Sequence, residues 1–222
     1  LSGAPGERET YSDLGYIALQ MVCEAVSGPL HAQWEHLPLH GKDQLHFRAL
    51  MGEVTEASRY APTEDCPWRQ RLLQGEVHDD NCWVMGGLAG HAGLFGTLES
   101  VHGAARAWLS AANGQSDSGL ELNPRLVQEA LNRRWMHPQG SRVLGWDTPS
   151  PGVSTSGQHF GQRSFGHLGF TGTSIWIDPE AQIAMTLLTN RVCPSRENWG
   201  IRTLRPKLHD AAWAAVTEGR LN

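Results

Sequence analysis

Apolar residues recur at helical spacing near the start of the chain. From Tyr11 to Ser27 an apolar residue occurs every three or four positions, which predicts an amphipathic helix. Gly28-Pro29 ends this pattern, and we expect Thr10 and Asp13 to form a capping pair where it begins. The apolar positions are Leu14, Ile17, Ala18, Met21, Val22, Ala25 and Val26.

Three later segments also have the period of a helix. The spacing predicts helices over residues 98–112 and 123–135, and a largely helical stretch from 198 to 216 in spite of Pro206. Residues 75–97 are rich in glycine, which is typical of tight turns and close backbone approaches rather than of a regular element.

Towards the end of the chain the period changes to two. The runs at 163–178 and 182–190 are rich in strand-forming residues, and together they predict an antiparallel hairpin around the short loop 179–181. Adjacent antiparallel strands with helices elsewhere in the chain indicate an α+β fold. A single hairpin is not stable in water, and residues 1–163 offer few partner strands, so the predicted sheet is incomplete.

We expect residues 1–222 to form a single, incomplete domain. Within it, residues 30–160 are predicted to be a mostly helical lobe with loops, and residues 161–222 the sheet hairpin followed by the C-terminal helix.

The composition excludes several classes of protein. The 222 residues carry 18 basic and 23 acidic side chains, a net charge of −5, and 40 % of them are apolar. A mildly acidic chain argues against a nucleic-acid partner, and no apolar run reaches the ~20 residues that span a bilayer. The first residues show no targeting signal, and four scattered cysteines, read as buried free thiols, leave cytoplasmic and exported locations both open.

Two pairs of residues are candidates for acid–base or oxyanion chemistry. Tyr11 precedes the first helix with Asp13 two residues on, and such a tyrosine acts as a base when cations lower its pKa; the alternative is a packing residue. His167 lies on a predicted strand with Gly169 on the same face, where the next amide can donate to an oxyanion. The alternative here is a strand histidine beside a bulge glycine.

Histidines elsewhere suggest a metal, but their spacing does not support one. His91 lies in the glycine-rich segment, where it either lines a cleft or completes a tight turn, and the second interpretation is favoured. His78 with Asp79 lacks the spacing of known metal motifs, so no metal or other cofactor is predicted. The same holds for the group of His31, His36 and His40.

Several segments occur in a fixed order: YSDLGY and VSG, then GEVHDDN with GGLAGHAGLFGT, then GW, then RSFGHLGFTGTSIWIDPE with LLTNRV, and LRPKLHDA. Together they resemble the serine β-lactamase-like hydrolases. The similarity is greatest to the class C-like branch, which holds esterases, DD-peptidases and penicillin-binding-protein relatives. The resemblance implies a β-lactamase/DD-peptidase-like fold, an antiparallel sheet flanked by helices plus a helical lobe, with the N-terminal strands and the nucleophile helix missing.

The resemblance also implies roles for individual residues. The family's Y-x-N motif matches Tyr11-Ser12-Asp13, which makes Tyr11 the proton shuttle and puts Asp13 in place of Asn. The family's K-T-G motif matches His167-Leu168-Gly169, and the amide of Phe170 would then donate to the oxyanion. His91 would line the substrate cleft.

Three departures from the family pattern affect these roles. Leu168 stands where the family has a residue whose hydroxyl usually binds a substrate carboxylate. His167 stands in place of the family's lysine, which makes the charge of the motif depend on pH. The family's S-x-x-K nucleophile motif is absent, because Lys42 and Lys207 each have a leucine three positions before them. In the family this motif lies well upstream of the tyrosine motif, whereas here ten residues precede Tyr11.

The chain is therefore interpreted as the C-terminal two-thirds or so of a serine hydrolase that cleaves an ester, amide or β-lactam bond through an acyl-enzyme. Its expected partners are a small-molecule or peptide substrate and the missing N-terminal segment of the same fold. One alternative is a degenerate, non-catalytic homologue that binds a peptide, glycan or protein. Another is a metal hydrolase that uses His78, Asp79 and His91.

Overall fold

A computed structural model describes residues 3–37, 45–52, 56–116, 119–138 and 140–219. The chain divides into two compact units. The helix–loop unit comprises Thr10–Val101 and Asn190–Glu197, and the sheet unit comprises Leu1–Glu9, His102–Thr189 and Asn198–Asn222. The organisation as one incomplete domain stays a prediction.

The helix–loop unit begins with α1, which spans Asp13–Ser27. The N-cap is Ser12, whose hydroxyl accepts a hydrogen bond from the amide of Leu14 at 3.2 Å. The predicted capping pair of Thr10 and Asp13 is therefore wrong, because only the residue next to the first helical turn can reach its unsatisfied amides. Gly28 ends the helix with a φ of 82°, as the sequence predicted.

The rest of this unit consists of short elements joined by loops. Strands β1 and β4 form one antiparallel pair, β2 and β3 form another, and 3₁₀ turns span Arg48–Leu50 and Ala57–Arg59. The numerous glycines and prolines of this region keep each element short. The bounds are Leu30–Glu35 for α2, His46–Phe47 for β1, Asp65–Cys66 for β2, Arg71–Leu72 for β3, Asp80–Val84 for α3 and Leu94–Phe95 for β4.

The apolar face of α1 is exposed. No residue of this helix is buried, and the exposed fractions of Leu14, Met21, Val22 and Val26 run from 61 % to 82 %. Helices of globular proteins usually bury such a face, so the described residues leave α1 without the packing partner that its pattern calls for.

Three longer helices follow, and the sequence predicted each of them. Helix α4 spans Leu98–Ala112, within the predicted bounds, and α6 spans Ile201–Glu218 with Pro206 inside it. The predicted helix 123–135 is shorter in the structure, where α5 covers Pro124–Ala130 and a separate 3₁₀ turn covers Arg133–Trp135. None of the helices in the described ranges is long and apolar enough to cross a membrane.

The sheet has five antiparallel strands in the order β5-β6-β7-β8-β9. The hairpin predicted around residues 179–181 is confirmed, since Asp178 pairs with Ile183. The run 163–178, however, forms two strands joined by a turn, and residues 142–147 supply two short strands that the sequence pattern did not predict. The bounds are Arg142–Val143 for β5, Trp146–Asp147 for β6, Phe165–Leu168 for β7, Ser174–Asp178 for β8 and Ile183–Leu187 for β9.

Helices pack on both faces of this sheet. On one face, Phe165 and Ile177 pack with the alanines of α4 and with Val127 of α5. On the other face, Trp176 packs with Phe160 and with Trp213 of α6. Ile177 and Trp176 are neighbours on β8, so the period-two pattern of the sequence supplies both cores.

Candidate functional site

The candidate residues of the helix–loop unit lie at the start of α1. Tyr11 directly precedes the N-cap and is 57 % exposed, while Asp13 is the first helical residue and is half-buried. An Asp13 carboxylate oxygen accepts a hydrogen bond from the side-chain amide of Asn81 at 3.4 Å. This long contact connects the start of α1 to α3.

Asp79 joins Asp13 and His91 in one cluster. Its Oδ1 caps α3 by accepting from the amide of Cys82 at 2.7 Å, and it also lies 2.9 Å from Nε2 of His91. The His91 side chain is only 5 % exposed. One donor atom each of Asp13, Asp79 and His91 lies within 4.8 Å of the other two, and these oxygens and a ring nitrogen are suitable ligands for a divalent metal.

His78 belongs to a different group, so the alternative metal set of His78, Asp79 and His91 is not brought together by the structure. Nε2 of His78 lies 3.0 Å from a carboxylate oxygen of Glu64, whose two oxygens also bind the guanidinium of Arg196 at 2.7 and 2.6 Å. These hydrogen bonds from Arg196 lower the pKa of Glu64 to about 2, and burial lowers the pKa of His78. His31 and His36 are absent from the metal-capable cluster, while His40 and Lys42 lie outside the described residues.

The cysteines are unpaired among the described residues, but not all of them are buried. Cys66 and Cys82 are buried as the sequence predicted, Cys193 is half-buried, and Cys23 on α1 is exposed, contrary to the prediction. Burial raises the pKa of the Cys82 thiol to about 12, so this residue near Asp79 stays protonated and unreactive at neutral pH.

The candidate residues of the sheet unit lie at the end of β7. His167 pairs with Ile175 and Leu168 with Ser174 across the ladder to β8, and both side chains are half-buried. Leu168 packs against the core that contains Trp176. His167 and Leu168 therefore lie on opposite faces of a short strand that pairs along its whole length with β8.

A tight turn over residues 169–173 follows β7. The Gly169 amide donates to the carbonyl of Thr173 at 2.8 Å, and the Gly172 amide donates to the carbonyl of Gly169 at 3.1 Å. A side chain at Gly169 would collide with the Thr173 hydroxyl, and Gly172 has a φ of 111°, so both positions favour glycine. Phe170 lies at the tip of this turn with its side chain 52 % exposed.

The structure thus brings the predicted residues together in two groups. Asp13 and His91 converge within the helix–loop unit, and residues 167–170 are consecutive in the sheet unit. Sequence reasoning named Asp79 only as a possible metal ligand and missed its proximity to Asp13. The capping role of Asp79 could have been predicted, because an aspartate directly before a short helix is a preferred N-cap, but its proximity to Asp13 could not.

The fold, with helices on both faces of an antiparallel sheet and a His-x-Gly strand end that leads into a tight turn, defines the class of β-lactamase-like α+β proteins. Residues 1–204 match the model of the family described as Beta-lactamase. The chain belongs to this family.

Individual relatives support the same assignment. The chain is 28 % identical over 207 residues to an N-acetylmuramyl-L-alanine amidase of Bacillus subtilis, covering 84 % of this chain and 45 % of the relative. It is 30 % identical over 209 residues to a putative D-alanyl-D-alanine carboxypeptidase of Salmonella typhi, covering 84 % and 46 %.

Among solved structures, a beta-lactamase from Mycobacterium bovis matches with a TM-score of 0.57 at 18 % identity. The match covers 96 % of this chain and 66 % of that one. The chain spans about half the length of the curated relatives it matches.

Proposed function

We propose that the chain is part of a serine hydrolase that cleaves an ester, amide or β-lactam bond through an acyl-enzyme. The family supports a hydrolase, since the relatives bear the names of an amidase and a carboxypeptidase. The observation that carries the proposal is the turn at residues 169–173, which fixes the backbone around Phe170 directly after the His-x-Gly strand end. A rigid backbone amide is the group that acyl-transfer enzymes use to stabilise an oxyanion.

The proposed reaction assigns a step to each candidate residue. A serine oxygen attacks the carbonyl carbon, its proton passes to the phenolate oxygen of Tyr11, and the amide of Phe170 stabilises the negative oxygen of the tetrahedral intermediate. Tyr11 then returns the proton to the leaving group as the carbon–heteroatom bond breaks, and water releases the acyl group in the same way. Asp13 orients neighbouring groups, His91 lines the cleft, and His167 contributes to the electrostatics of the cleft.

The serine and its lysine must come from outside the 222 residues, because no S-x-x-K occurs in them. We assign both to a further segment of the same fold. The exposed apolar face of α1 supports this assignment, since Leu14, Met21, Val22 and Val26 offer a surface that such a segment can bury.

The substrate of this reaction follows from the end of β7. Leu168 offers no hydroxyl to a substrate carboxylate, and its side chain packs into the apolar core beside β8. We therefore expect esters or amides without a carboxylate near the scissile bond to be preferred over β-lactams.

The test compares the 222 residues with the product of the complete reading frame that encodes them. With p-nitrophenyl acetate, we expect no burst from the 222 residues alone and a stoichiometric burst from the complete product. Phe170→Pro removes the proposed donor and lowers kcat by about 10²–10³-fold, whereas Phe170→Ala keeps the amide and serves as the matched control. A burst from the 222 residues that Tyr11→Phe abolishes would place the nucleophile inside this chain and refute the proposal.

A non-catalytic homologue is the alternative that the absent S-x-x-K favours. It predicts that the complete reading frame also lacks the motif and shows no burst, while the protein still binds peptide or glycan fragments. Isothermal titration with muropeptides, carried out beside the burst assay, separates the two functions.

The cluster of Asp13, Asp79 and His91 supports a third function, a metal-dependent hydrolase. This function requires that the purified chain binds Zn²⁺ or Mn²⁺ in titration calorimetry and that Asp13→Asn removes the binding. Metal-free protein with unchanged esterase activity excludes it.

A further inference from the structure

Two polar side chains lie on the buried face of α6, in the segment LRPKLHDA. The buried residues of this helix are Ile201, Arg205 and His209, which are spaced by four and so share one face. Arg205 is 7 % exposed and His209 is 3 % exposed. Burying a guanidinium is costly unless its donors find partners, so the contacts of Arg205 reveal what it stabilises.

Arg205 binds the backbone of the turn at residues 169–173. Its Nη2 donates to the carbonyl of Gly169 at 2.7 Å and to the carbonyl of Thr173 at 2.8 Å. The same two carbonyls also accept hydrogen bonds within the turn. The Gly169 carbonyl accepts from the Gly172 amide, and the Thr173 carbonyl accepts from the Gly169 amide. One buried cation therefore holds both ends of the turn.

His209 fixes the strand that leaves the turn. Its Nδ1 lies 3.0 Å from the carbonyl of Thr155 and must donate to it, so in the neutral ring Nε2 accepts from the hydroxyl of Ser174 at 3.1 Å. Burial lowers the pKa of His209, which favours this neutral ring. Asp210, next in the helix, accepts from the amide of Gln158 at 2.7 Å, so α6 also anchors the loop that contains Thr155.

The contact with Gly169 has a consequence for Phe170, because the Gly169 carbonyl and the Phe170 amide belong to one peptide group. A trans peptide is planar, and its C=O and N–H point in opposite directions. Anchoring the carbonyl oxygen on α6 thus aims the Phe170 N–H away from α6. A cation at the carbonyl also polarises the peptide and strengthens its N–H as a donor.

We propose that Arg205, supported by His209, is a positioning residue that orients and polarises the Gly169–Phe170 peptide as the oxyanion donor. The kinetic consequence of this inference rests on the proposed function. The orientation of the peptide does not, because all the residues that fix it lie within the 222 residues.

The first experiment reads the Phe170 amide directly. The chain has five phenylalanines, so ¹⁵N-phenylalanine labelling gives five amide signals. Arg205→Met removes the donors but keeps a long side chain, and both carbonyls retain an internal partner. We expect Arg205→Met to shift the Phe170 signal, with Phe47 and Phe95 of the other unit unmoved as folding controls. The exposed Arg202 of the same helix gives the matched control, Arg202→Met, which should move none of the five.

The second experiment measures the kinetic consequence in the product of the complete reading frame. Arg205→Met should lower kcat for p-nitrophenyl acetate by about 10–100-fold with KM changed less than about twofold, because only the oxyanion interaction is weakened. Arg205→Lys keeps the cation and should recover part of kcat. If Arg205→Met does not fold, Arg205→Lys and Arg205→Gln replace it in both measurements.

The outcomes separate the two proposals. An unmoved Phe170 signal in every folded Arg205 variant overturns the positioning role, whatever the enzyme does. A shifted signal together with unchanged kcat in an active enzyme overturns the catalytic consequence of that role. A wild-type product that forms no acyl-enzyme overturns the proposed function, while the shift of the Phe170 signal still decides whether Arg205 orients the peptide.

Discussion

The Glu64–Arg196–His78 group allows a quantitative prediction for the substitution Glu64→Gln. The Glu64 side chain is 3 % exposed, and both of its oxygens bind Arg196 while one also contacts His78. Its pKa falls from 4.5 to about 2 on folding. Each pKa unit is worth about 1.4 kcal/mol, so the ionised group stabilises the fold at pH 7 by about 3 kcal/mol.

The sign of the pH dependence follows from the lowered pKa. The unfolded chain takes up the Glu64 proton near pH 4.5 while the folded chain does not, so the stabilisation is complete above that pH. It declines as the pH falls towards 2, with about 2 kcal/mol lost by pH 3. Glu64→Gln should therefore lower the free energy of unfolding by about 3 kcal/mol at pH 7, and by much less near pH 3.

The assay is urea unfolding of wild type and variant at several pH values, followed by tryptophan fluorescence. The difference between the two proteins cancels the titration of other carboxylates. Glu56→Gln is the matched control, because Glu56 is exposed and lies 3.8 Å from the exposed Arg59, a pair worth less than about 1 kcal/mol. A loss below about 1 kcal/mol for Glu64→Gln at pH 7, or a loss that stays constant down to pH 3, refutes the reasoning.

Three further substitutions test the packing around the candidate residues. Asp178→Asn should cost about 3 kcal/mol in urea unfolding, because the buried carboxylate accepts four hydrogen bonds and an amide keeps only half of that capacity; a loss under 1 kcal/mol contradicts this. Gly166→Ala should lower the melting temperature at a cost of about 2–3 kcal/mol, since its Cβ would overlap the Trp176 ring and the Ile175 carbonyl; an unchanged melting temperature would refute it. Asp79→Ala should cost about 1–2 kcal/mol through loss of the α3 cap, which Asp79→Asn should largely restore in the same urea assay.

The sequence predicted the regular elements well because their signals are local. The apolar spacing of residues 98–112 gave the bounds of α4, and the alternation around residues 179–181 gave the β8–β9 hairpin. The first helix was correct in extent, but its cap was assigned to Thr10 and Asp13 rather than to Ser12. Several residues near a helix start can cap it, and backbone geometry decides between them.

The remaining features depend on contacts that are distant in sequence. In the run 163–178 the glycines and threonines of the turn at residues 169–173 lie between strand-forming residues, and threonine itself favours strands, so the turn was not predicted. The partner strands at residues 142–147 are only two residues long each, which is too short for a period to show. The proximity of Asp13 to Asp79 joins residues 66 positions apart, and no local pattern reports such a contact.

The excess of arginine over lysine is explained in part by the loops, where arginine side chains bind backbone carbonyls. Only Lys42 and Lys207 are lysines, against 16 arginines, and several arginines bind backbone carbonyls that no ladder satisfies. Arg69, whose side chain is 1 % exposed, donates to the carbonyls of Val77, His78 and Asp79 and to the carboxylate of Asp80.

Arg205 does the same for the turn after β7. A guanidinium offers five donors in a fixed plane, whereas an ammonium is a point charge that needs more water around it, so lysine is a poor substitute at such positions. In both units, then, a buried arginine fixes the loop that presents a candidate residue: Arg69 holds the segment that ends in Asp79, and Arg205 holds the peptide that ends in Phe170. Such hydrogen bonds restrict the backbone of both loops, which is what the proposed oxyanion donor requires.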